Sequence, residues 1–410
     1  MRDIKSLKPL IEKEFSESVE KVSIIKLVDL FVEYAYAVGA SDIHIEPTRD
    51  ALRLRYRIDG LLYDSFKDTP VKKEIHQEVV SRIKVLAGLR TDEHLAPQDG
   101  RFRVKIEEAG DVDVRVSIIP TYYGENVIMR VLAETQAFDL NTFGFSPGDL
   151  KKIKDAIAKP YGMILANGPT GSGKTTLLYT ILKSLNKPEI SIITIEDPIE
   201  YSLEGTTQIQ TDNAVGLTFA TGLRSILRQD PNIIMVGEVR DEETASISVN
   251  AALTGHLLLS TLHTNDAATT FPRLLDMGVP TFLVASTVNI AVSQRLVRKL
   301  CQTCKTERKL SRNEIASLHE LIPELDPSVQ FYSPKGCVEC NNSGYRGRIA
   351  IHEVLEVKDS IRALIMNRAS AQDIKDQAVK DGMATMVEDA LIKAGKGLTS
   401  IEEILRVVHE

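Results

Sequence analysis

Tryptophan is absent from the sequence, and aromatic residues make up only 5% of it. The interfacial aromatic belt that marks a chain embedded in lipid is therefore missing. Long apolar runs are scarce as well. Only the stretches 244–265 and 277–294 run long without Asp, Glu, Lys or Arg. The first holds His256, His263 and several hydroxyls, and the second holds Ser286, Thr287 and Asn289. A spanning helix needs about 20 mostly apolar residues, so both stretches are expected to be buried core. Positive charge is not in surplus either: 50 Lys and Arg stand against 57 Asp and Glu, a net charge of −7. That balance removes the global electrostatic reason to expect nucleic acid as a partner. The first residues, mixed in charge from Arg2 on, contain no apolar h-region, so no signal peptide is expected and the cytoplasm is the expected compartment. Neither an internal repeat nor a low-complexity tract is visible.

Cysteine is rare, with four in 410 residues. They come as two C-x-x-C pairs, Cys301/Cys304 and Cys337/Cys340, which is not the pattern of a disulfide scaffold in a chain this long. Each pair can place two thiolates on one knuckle, and four thiolates suit tetrahedral Zn²⁺ with no open position, hence a structural zinc site. A redox pair and an unmetallated remnant are the alternatives. The 32 residues between the pairs exceed the usual ribbon spacing and are expected to carry an inserted helix pair. They include ELIPELDPS (320–328), which is no basic patch.

What remains is an ordinary globular composition, 43% hydrophobic and 26% charged, in a length that suits two or three domains. Residues 1–20 are polar and read as an extension. Ile24, Val28, Phe31, Ala35 and Val38 then repeat with the period of an amphipathic helix, and Gly39 suits its end. SDIHIEP and ALRLRYRID alternate with period two, with Leu52, Leu54, Tyr56 and Ile58 on one face and the hairpin signal Asp59-Gly60 after them. RFRVKI and DVDVRVSII alternate likewise. Residues 21–133 are thus expected to form a small α+β domain and 134–149, rich in breakers, a linker. From 150 to about 300, short apolar runs (GMILA, ISIITIE, NIIMVGE, HLLLSTL) alternate with helical stretches, the pattern of a parallel sheet with crossover helices, in a domain expected to span 150–410. The cysteine module occupies 298–352 and C-terminal helices 357–410. Ser370 with Asp373 and Thr399 with Glu402 have capping-box spacing.

The strongest chemical signal is GPTGSGKTT. Gly168, Gly173, Lys174 and Thr175 match the phosphate-binding loop pattern, and Pro169, Thr170, Gly171, Ser172 and Thr176 complete the segment. Glycines let successive backbone N–H groups face phosphate oxygens, and the following helix adds its positive end. Lys174 is expected between the β- and γ-phosphates of ATP and Thr175 on Mg²⁺. Hydrolysis further needs carboxylates. Glu196, Asp197 and Glu200 follow one strand, and Glu238 follows another, with Gly237 where an aspartate is the usual residue, so that the metal contact is expected to pass through water. Each acid alone also fits a solvated loop position. His256 fits a core or capping role as well as a functional one. His263, if past its strand end, is favoured as a sensor of the γ-phosphate.

Taken together and in this order, these segments resemble the type II secretion and type IV pilus assembly ATPase family, the GspE/PilB-like traffic ATPases. GPTGSGKTT, ITIEDPIEY, LRQDPNIIMVGEVRD and TGHLLLSTLHTND resemble its Walker A, Asp box, Walker B and His box. SDIHIEP, YRIDG, QDGR and RVSIIPTYYGE resemble segments of its N-terminal domain, and CQTC with GCVECNNSGYRGR its tetracysteine module. The resemblance covers about residues 24–408 and implies an α/β fold: a RecA-like P-loop ATPase domain, a PAS-like α+β N-terminal domain and a small zinc-binding module. It implies a homo-hexameric motor, peripheral to the inner face of the cytoplasmic membrane, that works through an inner-membrane platform protein and cytoplasmic membrane-associated components. It assigns Lys174 and Thr175 to nucleotide and Mg²⁺, Glu238 to hydrolysis and Glu196 to the water or the metal, and matches Arg101, Arg115 and Arg130 to arginines that reach the phosphates. Each arginine alone also fits a surface or sheet-face position, although Arg101 and Arg115 lie in alternating stretches that can share one face. Many relatives carry a further docking domain; here residues 1–20 alone precede the match, which leaves the docking partner open. A retraction motor or DNA-uptake ATPase of the same superfamily, a RecA-like DNA motor and a nucleotide-gated scaffold are the competing readings. The paired cysteines favour assembly over retraction.

Overall fold

Helix α1 (Ile4–Ser16) opens the chain, within a computed structural model that describes residues 4–67, 69, 71–106, 110–132, 139–311, 314–315, 318 and 329–408. The chain divides into two units, Met1–Gln136 and Ala137–Glu410. The stretch 1–20, which the sequence suggested as an extension, contributes Leu7, Ile11 and Phe15 of α1 to the core of the first unit. The ring of Phe15 packs edge-on against Phe66, with centroids 5.5 Å apart.

In the first unit α2 (Ile24–Val38) buries the predicted apolar stripe and ends at Gly39, whose φ of 69° is the left-handed value that glycine adopts without strain. The sheet is antiparallel. Its strands are β1 (Ala40–Pro47), β2 (Ala51–Ile58), β3 (Leu61–Asp64), β4 (Val71–Lys72), β5 (Gln98–Ile106), β6 (Gly110–Thr121) and β7 (Gly124–Leu132). They are ordered β3-β2-β1-β7-β6-β5, with β4 beside β2. Asp59 (φ 50°) and Gly60 (φ 89°) make the two-residue turn between β2 and β3, in the conformation that matches the strand twist. One face carries Ile43, Ile45, Leu52, Leu54, Tyr56, Val114, Val116 and Met129 into a core shared with α2 and α3 (His76–Leu86). The other face is polar, as expected of an antiparallel sheet covered on one side.

The second unit begins with a 3₁₀ turn at Leu140–Thr142 and α4 (Pro147–Ile157), capped by the Ser146 hydroxyl. Its helix starts inside the stretch read as linker; residues 133–138 of that stretch lie outside the described residues. Strands β8 (Gly162–Asn167), β9 (Ile192–Glu196), β10 (Thr207–Gln210), β11 (Ile233–Val236), β12 (Leu257–Leu262) and β13 (Val288–Leu300) are mutually parallel. Strand β16 (Tyr345–Glu356) closes the sheet antiparallel to β13, giving the order β10-β9-β11-β12-β8-β13-β16. β8, β11 and β12 are buried throughout, which explains their unbroken apolar runs. The helices are α5 (Lys174–Leu185), α6 (Phe219–Ile226), α7 (Glu242–Leu253), α8 (Thr270–Asp276) and α9 (Thr281–Thr287). Strands β14 (Thr306–Arg308) and β15 (Phe331–Ser333) pair separately. Then follow α10 (Asp359–Met366), α11 (Ala371–Lys380), α12 (Met386–Gly395) and α13 (Ile401–Val408).

The two uncharged stretches form α7 with β12 and α9 with the start of β13, and both supply core residues. Among the described residues no helix is long and apolar enough to cross a membrane. Ser370 and Asp373 make the expected capping box. Thr399 does not cap: its hydroxyl donates to the Arg298 carbonyl, and Ser400 accepts from the Glu403 N–H instead. ELIPELDPS, and with it the expected helix pair, falls outside the described residues.

Candidate nucleotide and metal sites

Parallel strands bring their carboxyl ends to one edge, and in open α/β sheets that edge is where ligands bind. Here the carboxyl ends of β8, β9, β11 and β12 lead into the glycine-rich loop, Glu196–Asp197 (Glu196 closing β9), Glu238 and His263. Neighbouring strands in register, Leu262 opposite Asn167 and Val236 opposite both Ser260 and Ile195, fix their relative heights.

The loop 168–173 turns through positive φ at Gly168 (136°), Gly171 (78°) and Gly173 (89°) before α5 begins at Lys174. Gly168 and Gly173 are also held by space: a Cβ would lie 2.4 Å from the Gln294 carbonyl oxygen at the first and 2.6 Å from the Gln294 Nε2 at the second. Gln294 of β13, which the sequence reading passed over, donates its amide N–H to the Ser172 carbonyl at 2.6 Å. It is 1% exposed and its Oε1 has no partner among the described residues. Its only sequence signal was its place as a polar residue closing an uncharged, buried stretch. Ser172 is buried, whereas Pro169, Thr170 and Gly171 are exposed and Thr175 and Thr176 are half-buried in the first turn of α5. The Lys174 ammonium donates to the carbonyls of Gly168 (2.6 Å) and Pro169 (3.0 Å). Burial pushes its pKa down to about 8, against the opposing pull of the Glu238 carboxylate. A buried ammonium that faces backbone carbonyls beside a run of N–H groups is poised for an anion.

Glu238 lies in a segment stitched between β9 and β12. Gly237 N–H donates to Ile195 O at 2.8 Å, Val239 N–H to Thr261 O at 3.1 Å, and the Thr261 hydroxyl to Gly237 O at 2.7 Å. Space is tight at Gly237, where a Cβ would meet the Glu196 Cα and the Ile195 carbonyl at 3.3 Å. One carboxylate oxygen of Glu238 pairs with Arg240, another residue the sequence reading passed over; the other stands 3.3 Å from His263 Nε2. His263 lies one residue past β12 and is half-exposed. His256, at the opposite end of β12, is held by the Ala251 carbonyl 3.0 Å from its Nδ1, the capping role. Glu238, His263 and Lys174 are therefore drawn to one edge.

Glu196 is placed differently. It is 2% exposed, and both oxygens are engaged: Thr194 Oγ1 donates at 2.6 Å, Gln208 Nε2 at 3.2 Å, and the Tyr179 hydroxyl also donates. Burial raises its pKa despite these donors. Glu200 offers its backbone N–H to the same tyrosine oxygen at 3.3 Å.

In the first unit the register aligns five residues across five strands: Arg57, Asp42, Arg130, Arg115 and Arg101 face one another in turn. All three arginines named from the sequence thus share the polar face, in adjacent strands. Directly opposed like charges destabilise a sheet, so this row is a feature that folding alone does not favour.

The four cysteines converge at the end of β13 and before β16. Their Sγ atoms lie within 4.8 Å of one another, with Cys301–Cys337 and Cys304–Cys340 at 3.8 Å and Cys337–Cys340 at 3.7 Å. Four sulfurs about 2.3 Å from a tetrahedral centre are spaced about 3.8 Å apart, so the donor set fits a four-coordinate zinc. Two backbone N–H groups, of Cys337 and Gly344, point at Cys340 Sγ at 3.2 Å. Burial pushes the Cys340 thiol up, but these N–H groups and the neighbouring Cys337 and Cys304 together bring its pKa down to about 7, while burial and the neighbouring thiols push Cys304 up to about 12. Four thiols this close cannot all ionise without a cation, and the N–H groups of Cys337 and Gly344 would then help hold the Cys340 thiolate.

The family model described as "Type II/IV secretion system protein" matches residues 17–406. The chain is 44% identical over 393 residues to the type IV pilus assembly ATPase PilB of Myxococcus xanthus, covering 96% of this chain and 69% of that one. It is 47% identical over 390 residues to the type II secretion system protein E of Xanthomonas campestris pv. campestris, covering 94% and 68%. Among solved structures it is similar to the pilus retraction motor PilT with bound ADP (TM-score 0.62, 26% identity, 92% of this chain and 96% of that one). The Legionella pneumophila ATPase DotB, at 22% identity and TM-score 0.70 over 96% and 97% of the two chains, shares the fold.

Proposed function

The chain belongs to the type II/IV secretion system protein family and is an ATPase of that class, and from that premise we propose that it hydrolyses ATP to ADP and phosphate to drive assembly of a type IV pilus or a type II secretion pseudopilus. The observation that supports this most is the gathering of the phosphate loop, Glu238 and His263 at the carboxyl ends of β8, β11 and β12. In this reading the N–H groups of 168–173 and the start of α5 hold the phosphates, and Lys174 exchanges its two carbonyl acceptors for phosphate oxygens. Thr175 is the residue for Mg²⁺, which when bound neutralises phosphate charge. Glu238 orients the attacking water and takes its proton. His263, beside it, senses the γ-phosphate, and Arg240 holds the other carboxylate oxygen. Glu196 is the second acid, and its reach to the water or the metal requires release of at least one of its three donors.

Arg101, Arg115 and Arg130 supply fixed guanidinium charge to the transferring phosphoryl group, from the same chain or a neighbouring one. Carrying them on a separate unit makes hydrolysis conditional on closure, which turns the reaction into motion. We assign the working form to a homo-hexamer at the inner face of the cytoplasmic membrane. It acts there on an inner-membrane platform protein with cytoplasmic assembly components and without nucleic acid. Cys301, Cys304, Cys337 and Cys340 hold a structural Zn²⁺, and this module favours assembly over retraction. Glu238→Gln tests the core of the proposal. Nucleotide binding is expected to survive while phosphate release falls by about 10²-fold or more, the usual worth of a positioned base. Undiminished phosphate release in a folded Glu238→Gln protein overturns the assignment.

A further inference from the structure

The row of four arginines holds a single carboxylate, Asp42, and its surroundings are more elaborate than a surface ion pair requires. Strand β1 is bulged between Ala40 and Asp42, so that Ser41 is the extra residue. Bulges re-aim side chains. Here the Ser41 hydroxyl donates to Asp42 Oδ2 at 2.8 Å, and Asp42 is 6% exposed. From this fixed position Oδ1 accepts the Arg130 Nε–H at 3.0 Å, and Oδ2 lies 3.7 Å from the Arg57 Nε. Arg130 itself is more than half-exposed. The bond uses Nε, the donor nearest the chain, and so fixes the plane of the guanidinium and leaves its two terminal nitrogens out of this contact. Arginine has the rotamer freedom to point elsewhere, and three aligned guanidiniums repel one another. A buried acid between Arg57 and Arg130 counters both tendencies where it stands.

We infer that Asp42 is the positioning residue of the arginine row, and that it acts through Arg130, with Arg57 as the second cation it holds. This rests on the reading that the row serves the triphosphate. Asp42 touches no substrate in this scheme. It sets where positive charge stands when the phosphoryl group develops its own.

The test is a double-mutant cycle on the full chain, with steady-state ATP hydrolysis, binding of a fluorescent ATP analogue and thermal melting as readouts. Asp42→Asn is expected to lower kcat about tenfold, within the range of coupling between contacting residues, with analogue affinity within about twofold and an unshifted melt. Arg130 and Arg57 both reach solvent, so neither cation is left buried and unpaired when Asp42 loses its charge. Added to Arg130→Ala, the same substitution is expected to change nothing further. An equal loss of kcat in both backgrounds, or no loss in either, overturns the inference. If Asp42→Asn does not fold, Asp42→Glu keeps the charge but displaces it by one methylene, and the same cycle applies. The two ideas fail distinguishably. Full turnover in Arg115→Ala and Arg130→Ala overturns the reading that the row serves the triphosphate, whereas loss in those variants without loss in the Asp42 variants overturns only the role of Asp42.

Discussion

Lys174 shows how far a residue's chemistry depends on its surroundings. The motif predicted an ammonium for phosphates, but not that burial would lower its pKa to about 8. The sign of the consequence follows from linkage. Below pH 8 the amine is charged and ready to bind an anion. Above it, the free protein has lost the proton, which a bound phosphate would draw back, so binding takes up a proton. The nucleotide dissociation constant is expected to be flat near pH 7 and to rise up to about tenfold per unit above pH 8. Lys174→Arg, which stays charged, abolishes the slope. A flat profile between pH 8 and 9.5 in the unaltered protein, measured by analogue titration, contradicts this account. Gly237 carries a similar lesson: the strand end leaves little room there, since a Cβ would stand 3.3 Å from the Glu196 Cα.

At the scale of elements, the sheet of the first unit converts an alternating sequence into a row of charge. Arg115 occupies the centre, opposite Arg130 on one side and Arg101 on the other. Arg115→Ala is expected to lower turnover by about 10³-fold, as loss of a phosphoryl-stabilising arginine does, while nucleotide affinity changes little, since the loop at 168–176 holds the phosphates. Equal losses in turnover and affinity, measured on the same preparation, point instead to a structural role. The helix ends show where local reading succeeds and slips. The Ser370–Asp373 box forms as predicted, but Ser400 rather than Thr399 caps the last helix, because Thr399 finds a tertiary acceptor in the Arg298 carbonyl. The Thr385–Glu388 box, equally local, formed at a place where no prediction had been made.

For the whole molecule, the cysteine module is the clearest case of distant segments made one. Cys301 and Cys304 follow β13 and Cys337 and Cys340 precede β16, and the antiparallel pairing of those two strands brings the thiols together. About one zinc per chain is expected on elemental analysis of the purified protein, as a closed four-thiolate site implies. Iron or no metal contradicts the assignment. Zinc removal by chelator is expected to expose four thiols to alkylation and to loosen the module, while analogue binding at the phosphate loop persists.

Motif spacing determined the nucleotide loop, the carboxylate-bearing strand ends and the paired thiols, because phosphate and zinc recognition depend on residues a few positions apart. Periodicity determined α2 and the alternating strands, because one buried face imposes its own repeat. Tertiary structure alone decided that α1 belongs to a core, that Glu196 is saturated with donors while Glu238 meets His263, that Gln294 braces the glycine loop and that Asp42 stands in a row of arginines. Each of these rests on contacts between residues far apart in the chain, with Thr194 beside Glu196 the local exception, and strand order and register choose them where no local pattern of residues does.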